Sequence, residues 1–446
     1  MANCGLPIFG RPQLFLGFLD AGLRNSLGSK ASIEFGMEMG QLFSDRTYCG
    51  VGSRRGGYDG GVRKRILNAH VEVQMEYRVL GRTGLKVSAL GFGTMRFKMV
   101  DGHVDQDVAI EVLHRAMDIG VNYFDSAVGY CRSESEMTLG KALKGRREGK
   151  VVSTKYPPWG RSLTADDCRK IIEQSLSRLD IDYIDVYHMH GLDWETAEKV
   201  MAKGSAIDGA RKAKEEGLIK HLAFSFHDDP KRMVDIARAV PDMDVVTCQY
   251  NLLDRRNEES MATVREMGLG VVVMGPVGGG RLGFPSEKLE GLLPEKRVST
   301  PELALRFVLS NPNVSVALSG MSTIEMVEEN AATAGLETPL TEEEMRRIGA
   351  MLEENRKLAD LYCTGCEYCM PCPNKVNIPE IFRLMNLHRV WGLTDAARKR
   401  YAEIGASAEY EDASACIECG QCEEKCPQKI PIIEQLKESH KALGSK

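Results

Sequence analysis

The feature that most limits how this chain can fold is a regular alternation that starts near Met75. Short apolar runs alternate there with amphipathic stretches at helical spacing. The strand-like runs are Ala89–Phe92, Tyr123–Ser126, Val151–Lys155, Tyr183–His190, His221–Phe226, Val245–Tyr250, Gly270–Gly275 and Ser315–Ser319. Helical stretches follow at 106–118, 134–144, 165–179, 207–216, 229–239, 258–267, 300–310 and 323–333. Eight strand–helix units over roughly 260 residues predict an α/β chain folded as a (β/α)8 TIM barrel. An open, doubly wound sheet is the alternative, but no Gly-x-Gly-x-x-Gly turn opens a first unit. A short hairpin, Tyr77 to Leu80 and Leu85 to Ser88 around Gly81–Gly84, precedes the first strand.

The barrel does not use the whole chain. Its 446 residues suggest two to three domains. Residues 1–74 hold 13 glycines, the basic patches Arg54-Arg55 and Arg63 to Arg65, and little periodicity. They read as a poorly structured extension: upstream DNA translated from a misplaced start, with Met75 the true start, or a flexible segment. A transit peptide fits less well, because acidic residues are present. The barrel is expected over 75–350, with a last helical stretch, Glu342–Leu358, carrying the chain out of it. A helical domain is expected over 351–446, with helices at Ile378–His388, from an N-cap at Thr394 to Gly405, and from about Ile432 to Leu443.

Cysteine decides what that last domain holds. Eight of the 13 cysteines fall in the final 84 residues, in two runs. Cys416, Cys419, Cys422 and Cys426, followed by Pro427, match Cys-x-x-Cys-x-x-Cys-x-x-x-Cys-Pro, the ferredoxin run that ligates [4Fe–4S] clusters. Cys363, Cys366, Cys369 and Cys372, followed by Pro373, match it one residue short. A disulfide framework suits small secreted chains, and zinc sites take their cysteines as separated pairs. Two [4Fe–4S] clusters in a helical ferredoxin-type domain are therefore expected. The other cysteines, Cys4, Cys49, Cys131, Cys168 and Cys248, read as ordinary thiols in a reducing cytoplasm. Lys and Arg number 58 against 63 Asp and Glu, a net charge of −5. That argues against a nucleic-acid partner held by bulk charge. No run approaches 18 apolar residues, so no membrane span is expected.

Polar residues end three consecutive strands of the expected barrel, where such folds do their chemistry. Asp125 ends the second, Lys155 the third, and His188-Met189-His190 the fourth. Period two puts His188 and His190 on one face, with His190 nearer the mouth. Tyr130 follows Asp125 by five residues, in the loop. A free phenol, with a pKa near 10, is a weak acid at neutral pH. An ammonium beside it stabilises the phenolate and brings its pKa down toward the working range, and a carboxylate aims the ammonium. A histidine can orient a carbonyl oxygen. The hydride must come from a cofactor. His188 reads as a satisfied histidine inside the barrel.

These residues sit in segments that resemble the aldo-keto reductase family: Gly91-Phe92-Gly93-Thr94, Asn122 to Ala127 with Tyr130, Ser153-Thr154-Lys155, Asp182 to Tyr187 with His190, and Gln249 to Leu253. The resemblance spans roughly residues 75–335. It implies a nicotinamide cofactor, NADPH or NADH, and a small carbonyl or alcohol substrate. It implies Tyr130 as acid, Lys155 and Asp125 as its tuning pair, and His190 as the substrate-orienting group. It places Gly93, Thr94, Met95, Ser225 and Gln249 at the cofactor, along with Met274 and Gly275 after strand seven. It also places Gly320, Ser322, Thr323, Glu329 and Asn330 in the cofactor-clamping segment. The tail resembles the iron–sulfur branch of the family.

Three positions depart from the family pattern. Met274 stands where an aromatic residue often stacks on the nicotinamide. Met326, beside Glu325, stands where NADPH-preferring members place an Arg, whose guanidinium would grip a phosphate. Phe226 replaces the Asn that follows the Ser of strand five. Hydride moves two electrons and a cluster moves one, so three readings follow. The clusters wire the barrel to a redox partner protein; or they are structural or oxygen-sensing beside an autonomous reductase; or the tail is an electron-carrier module on an inactive barrel. A flavin between the two carriers stays open, although no flavin motif is evident.

Overall fold

A computed structural model describes residues 74–293, 298–335, 340–360, Cys363, 369–426 and 429–444. The extension expected over 1–74 and the ligand candidate Cys366 lie outside the described residues, apart from Gln74. Eight parallel strands close into one barrel in chain order. They are β1 (Leu90–Gly93), β2 (Tyr123–Asp125), β3 (Val151–Tyr156), β4 (Ile184–Leu192), β5 (Ile219–Phe226), β6 (Met243–Gln249), β7 (Gly270–Met274) and β8 (Val316–Ser319). The apolar alternation is explained by two cores. Tyr123, Val151, Val186, Ala223, Val245, Val272 and Val316 fill the lumen. The opposite strand faces pack against the outer helices. The expected hairpin, Tyr77–Val79 paired with Lys86–Ser88, pushes Leu80 and Val87 into the lumen from the N-terminal end. Buried area is thereby gained at the end away from the chemistry.

The helices around the barrel are α1 (Gln106–Asp118), α2 (Ser135–Leu143), α3 (Ala165–Leu179), α4 (Trp194–Met201), α5 (Ala206–Glu215), α6 (Pro230–Ala239), α7 (Glu258–Glu266), α8 (Glu287–Glu290), α9 (Thr300–Leu309), α10 (Ile324–Ala334) and α11 (Glu342–Asp360). Local chemistry sets many of their starts. Asp105, Thr164, Asp229 and Ser299 cap α1, α3, α6 and α9 through side-chain oxygens, which satisfies amides that have no helical partner. Helix α4 is absent from the sequence reading. It is two turns long, and only Ala197 and Val200 are buried, too few points to reveal a period.

The tail adds α12 (Ile378–Arg389), α13 (Thr394–Gly405), α14 (Gln421–Lys425) and α15 (Ile432–Leu443). Thr394 is the first residue of α13, not its cap: Leu393 holds that place, and the Thr394 hydroxyl pairs with His388 Nδ1 at 2.9 Å. The tail seats on the loop after β7. Ser286 Oγ donates to the Trp391 carbonyl at 2.7 Å. Lys288 Nζ donates to the carbonyls of Arg389 and Val390 at 2.7 and 3.0 Å. Gly392 sits at φ +66°, and a Cβ placed on it would lie 3.3 Å from Ser286 Oγ. A side chain there would crowd the joint.

Candidate active site

Strand register assembles the site. Asp125 pairs with Ser153 across β2 and β3, and Lys155 pairs with His188 across β3 and β4. The Asp125 carboxylate and Lys155 ammonium are both buried, 4% and 1% exposed. Lys155 Nζ donates to Asp125 Oδ2 and to the Ser126 carbonyl, each at 2.6 Å. It lies 4.9 Å from the centre of the Tyr130 ring. Tyr130 in turn lies edge-on to His190, with centroids 5.9 Å apart. Four residues from three strands and one loop thus meet at the C-terminal mouth.

The electrostatics correct one expectation. Burial raises the Tyr130 pKa; the charge and hydrogen bond of Lys155 oppose it, and Asp125 adds to the rise. The net direction is upward, so Lys155 limits the rise and does not reverse it. Burial also works against the Lys155 ammonium, yet Asp125 and Tyr130 outweigh it and its pKa is raised. His190 is pushed down to about 3 by burial and by the charges of Lys155 and His227. It is a neutral imidazole at any ordinary pH. Cys131, next to Tyr130, has its thiol pushed up to about 11, mainly by burial, and is no nucleophile.

His190 owes its place to an irregularity. The β4–β5 ladder slips between Met189 and Leu192, leaving His190 and Gly191 out of register at the mouth. Ser225 Oγ accepts from the Gly191 amide at 2.7 Å and so holds the slip. Gly191 sits at φ +61°, and a Cβ there would meet Trp159 Cζ2 at 2.6 Å. Trp159 is 55% exposed, and its ring centroid lies 5.0 Å from that of His190. Trp159 was missed from sequence, because nothing in Pro158-Trp159-Gly160 says that the loop folds back over strand four.

The residues expected at the cofactor divide into two groups. Thr94 is buried beneath the site, its hydroxyl donating to the Asp125 carbonyl at 2.9 Å and 2.5 Å from Ser135 Oγ. Gly93 pairs with Asp125, and Met95 follows in a short 3-10 turn. The Gln249 amide reaches Asp254 at 3.4 Å, and Asn330 donates to Ser319 Oγ at 2.9 Å. The rest face outward along neighbouring strand ends. Gly275 turns at φ +64° after Met274. Gly320, Thr323 and Glu329 are exposed, and Ser322 is half-buried. Thr323 caps α10 by accepting from the Met326 amide at 3.3 Å. An eleven-residue helix whose start follows β8 offers free amides to an anion, which fits the phosphate end of a dinucleotide.

The cysteines converge as well. The Glu411 amide donates to the Lys375 carbonyl at 2.9 Å and Asn374 Nδ2 to the Ala415 carbonyl at 2.9 Å, joining the end of the first run to the start of the second. Cys369 and Cys372 of one run then line an open-sided cavity with Cys416, Cys419 and Cys422 of the other. Its remaining walls are mostly apolar, including Val376, Ile378, Ile433 and Leu436, and among the described residues Lys425 is the one charged residue that lines it. Cys426 is buried and Cys363 partly so. Thiolates from both runs around one apolar cavity fit a cluster whose fourth ligand comes from the other run, as in two-cluster ferredoxins.

Comparison with known proteins is decisive. A profile described as the aldo/keto reductase family matches residues 89–353. The chain belongs to the aldo-keto reductase family. A second profile, a 4Fe-4S dicluster domain, matches residues 362–430. The chain is 31% identical over 310 residues to L-galactose dehydrogenase of Arabidopsis thaliana, covering 64% of this chain and 97% of that one. It is 28% identical over 338 residues to a probable voltage-gated potassium channel subunit beta of Oryza sativa, covering 65% and 100%. Among solved structures, the holo form of aldo-keto reductase AKR11C1 from Bacillus halodurans is similar, with a TM-score of 0.54 and 31% identity over 62% of this chain and 96% of that one. Members so differently named show that the aldo-keto reductase barrel alone does not specify a substrate.

In the aldo-keto reductase barrel of this chain, the need for a glycine at position 191 can be tested directly. Gly191→Ala is expected to cost about 1–2 kcal/mol, the penalty for a left-handed residue with a Cβ. It should also displace Trp159 from His190. A urea midpoint and tryptophan fluorescence check both; an unchanged emission spectrum would contradict the Trp159 contact.

Proposed function

We propose that the protein is a nicotinamide-dependent oxidoreductase that reduces a small carbonyl compound, or oxidises the alcohol in reverse, with Tyr130 as the acid. The observation that carries this reading is the gathering of Asp125, Lys155, Tyr130 and His190 at the barrel mouth. When bound, the nicotinamide supplies the hydride. Gly275, Gly320, Ser322 and Thr323 would hold it along the ends of β7 and β8. His190, neutral, donates a hydrogen bond to the carbonyl oxygen as negative charge develops there. Tyr130 then gives that oxygen its proton, and Lys155 stabilises the phenolate left behind. Asp125 keeps Lys155 charged and aimed. Met326 and Glu325 at the clamp weigh toward NADH, since neither can pair with a phosphate.

Two [4Fe–4S] clusters are proposed for the tail. Cys372 joins Cys416, Cys419 and Cys422 at one, and Cys426 joins Cys363, Cys366 and Cys369 at the other. They pass electrons to or from a redox partner protein. A second reading, clusters that serve structure or redox sensing, draws support from the seating of the tail on Ser286 and Lys288. Protein purified without oxygen is expected to hold about eight irons and eight sulfides per chain and to consume NADH or NADPH with small aldehydes. Zinc in place of iron would sink the cluster assignment, and no turnover with any carbonyl would sink the reductase. Cys416→Ser separates the two cluster readings. Wiring predicts that electron delivery to a one-electron acceptor is lost while carbonyl reduction persists. A structural role predicts that both fall together.

A further inference from the structure

Inside the barrel, below the candidate tetrad, three polar side chains form a continuous chain that the proposed reaction does not use. Thr247 Oγ1 lies 2.9 Å from His188 Nε2. His188 Nδ1 lies 3.2 Å from Ser153 Oγ. Ser153 Oγ donates to Asp125 Oδ1 at 2.9 Å. All three are buried, and they come from β6, β4 and β3 to meet a carboxylate on β2.

Hydrogen counting gives the chain a direction. Ser153 has one hydroxyl hydrogen, and Asp125 takes it. Toward His188, Ser153 can therefore only accept, so Nδ1 carries the ring hydrogen. A neutral imidazole has a single N–H, so Nε2 must accept from the Thr247 hydroxyl. Burial, and then the nearby Lys155 charge, hold His188 neutral, well below the ordinary histidine value. Every donor thus points the same way: Thr247 to His188, His188 to Ser153, Ser153 to Asp125.

We propose that His188 is a positioning residue for Tyr130, acting through Ser153 and Asp125. The proposal rests on the reading of Tyr130 as the acid. The aligned dipoles pin the carboxylate so that Oδ2 keeps Lys155 turned toward Tyr130. They also offset part of the Asp125 charge that Tyr130 feels. The groups facing Tyr130 are Lys155, Asp125, Arg96 and His190; those facing His188 are Lys155 and His190. Tyr123, against Ser153, is buried and neutral. Without the chain, the Ser153 hydroxyl can turn away, and more of the Asp125 charge opposes ionisation of Tyr130.

Three variants of the full-length holoprotein test this. His188→Leu removes donor and acceptor together. Thr247→Val removes only the first donor, at nearly the same shape. His188→Gln keeps a donor on one side and an acceptor on the other. His188→Leu is expected to lower kcat about tenfold, the scale of one lost buried hydrogen bond. Its carbonyl KM should stay within about twofold, and the alkaline limb of kcat should move up by about half a pH unit. Thr247→Val should move kcat and the limb the same way by less, and His188→Gln should restore both. Nitrogen NMR should show His188 as the Nδ1–H tautomer, not titrating between about pH 5 and 8; an Nε2–H ring would overturn the chain's direction and the proposal. Wild-type kcat and limb in both His188→Leu and Thr247→Val, with Tyr130→Phe inactive, would overturn the proposal alone. If His188→Leu does not fold, Thr247→Val decides. Full activity in Tyr130→Phe would overturn the underlying reading, and the proposal with it.

Discussion

Tyr130→Phe is expected to lower kcat for carbonyl reduction by about 10²–10⁴-fold, the usual worth of a positioned general acid, with nicotinamide affinity unchanged within about twofold. The substitution removes one oxygen from a half-buried ring that otherwise keeps its edge contact with His190. Stability should therefore change little, and the loss should fall on the chemical step. Stopped-flow measurement of nicotinamide oxidation at saturating substrate reads that step, and full kcat in the variant would remove Tyr130 from the mechanism. The wild-type pH profile offers a second check. Burial holds the Tyr130 pKa above its ordinary value, so the phenol keeps its proton past the pH at which a free tyrosine ionises. Reduction should persist to that pH and fall above it as the donor ionises. His190, already neutral, should add no acid limb near the ordinary histidine value.

Lys155→Met should be the most damaging single change to the barrel. It leaves the Asp125 carboxylate 4% exposed, with Ser153 as its remaining side-chain donor. Breaking one side of a buried pair typically costs about 3–5 kcal/mol, because the other charge stays buried without its partner. Urea denaturation followed by circular dichroism gives the number. Adding Asp125→Asn should recover most of it, since the stranded charge is gone and Ser153 keeps an acceptor; no recovery would show that lost packing of the lysine stem is the cause. In the wild type, the Lys155 pKa is raised on folding. Its contribution is therefore complete below the unfolded lysine value of about 10.4 and is lost as pH climbs through the higher folded value.

Much of this molecule is legible in the order of its residues. Eight β-strands fall within a few residues of the apolar runs, because parallel strands buried on both faces are written as continuous Val, Ile and Leu. Helices α1 and α3 match their expected spans, since a cap and an apolar period both mark them. What escapes depends on contacts between distant segments. The slip at His190 follows from how β5 pairs with β4, not from either strand alone. The Trp159 contact needs the loop after β3 to lie over β4. The Tyr130 expectation had the right neighbours but misjudged the balance, since burial is a property of the folded mouth. Both cysteine runs were visible as motifs, yet how one run is brought to the other is shown by the links from Glu411 to Lys375 and from Asn374 to Ala415.

The seating of the tail carries a consequence for how the two modules came to share a chain. Ser286 and Lys288 grip the carbonyls of Arg389, Val390 and Trp391, and so read main chain and not side chains. Every amino acid presents the same carbonyl, so those three positions are free to drift without loosening these bonds. The requirement is a shape: a helix that ends there, followed by a residue such as Gly392 that tolerates a left-handed turn. Those bonds therefore fix the backbone path of the guest, while its fit also depends on packing, since the Val390 side chain at the joint is buried.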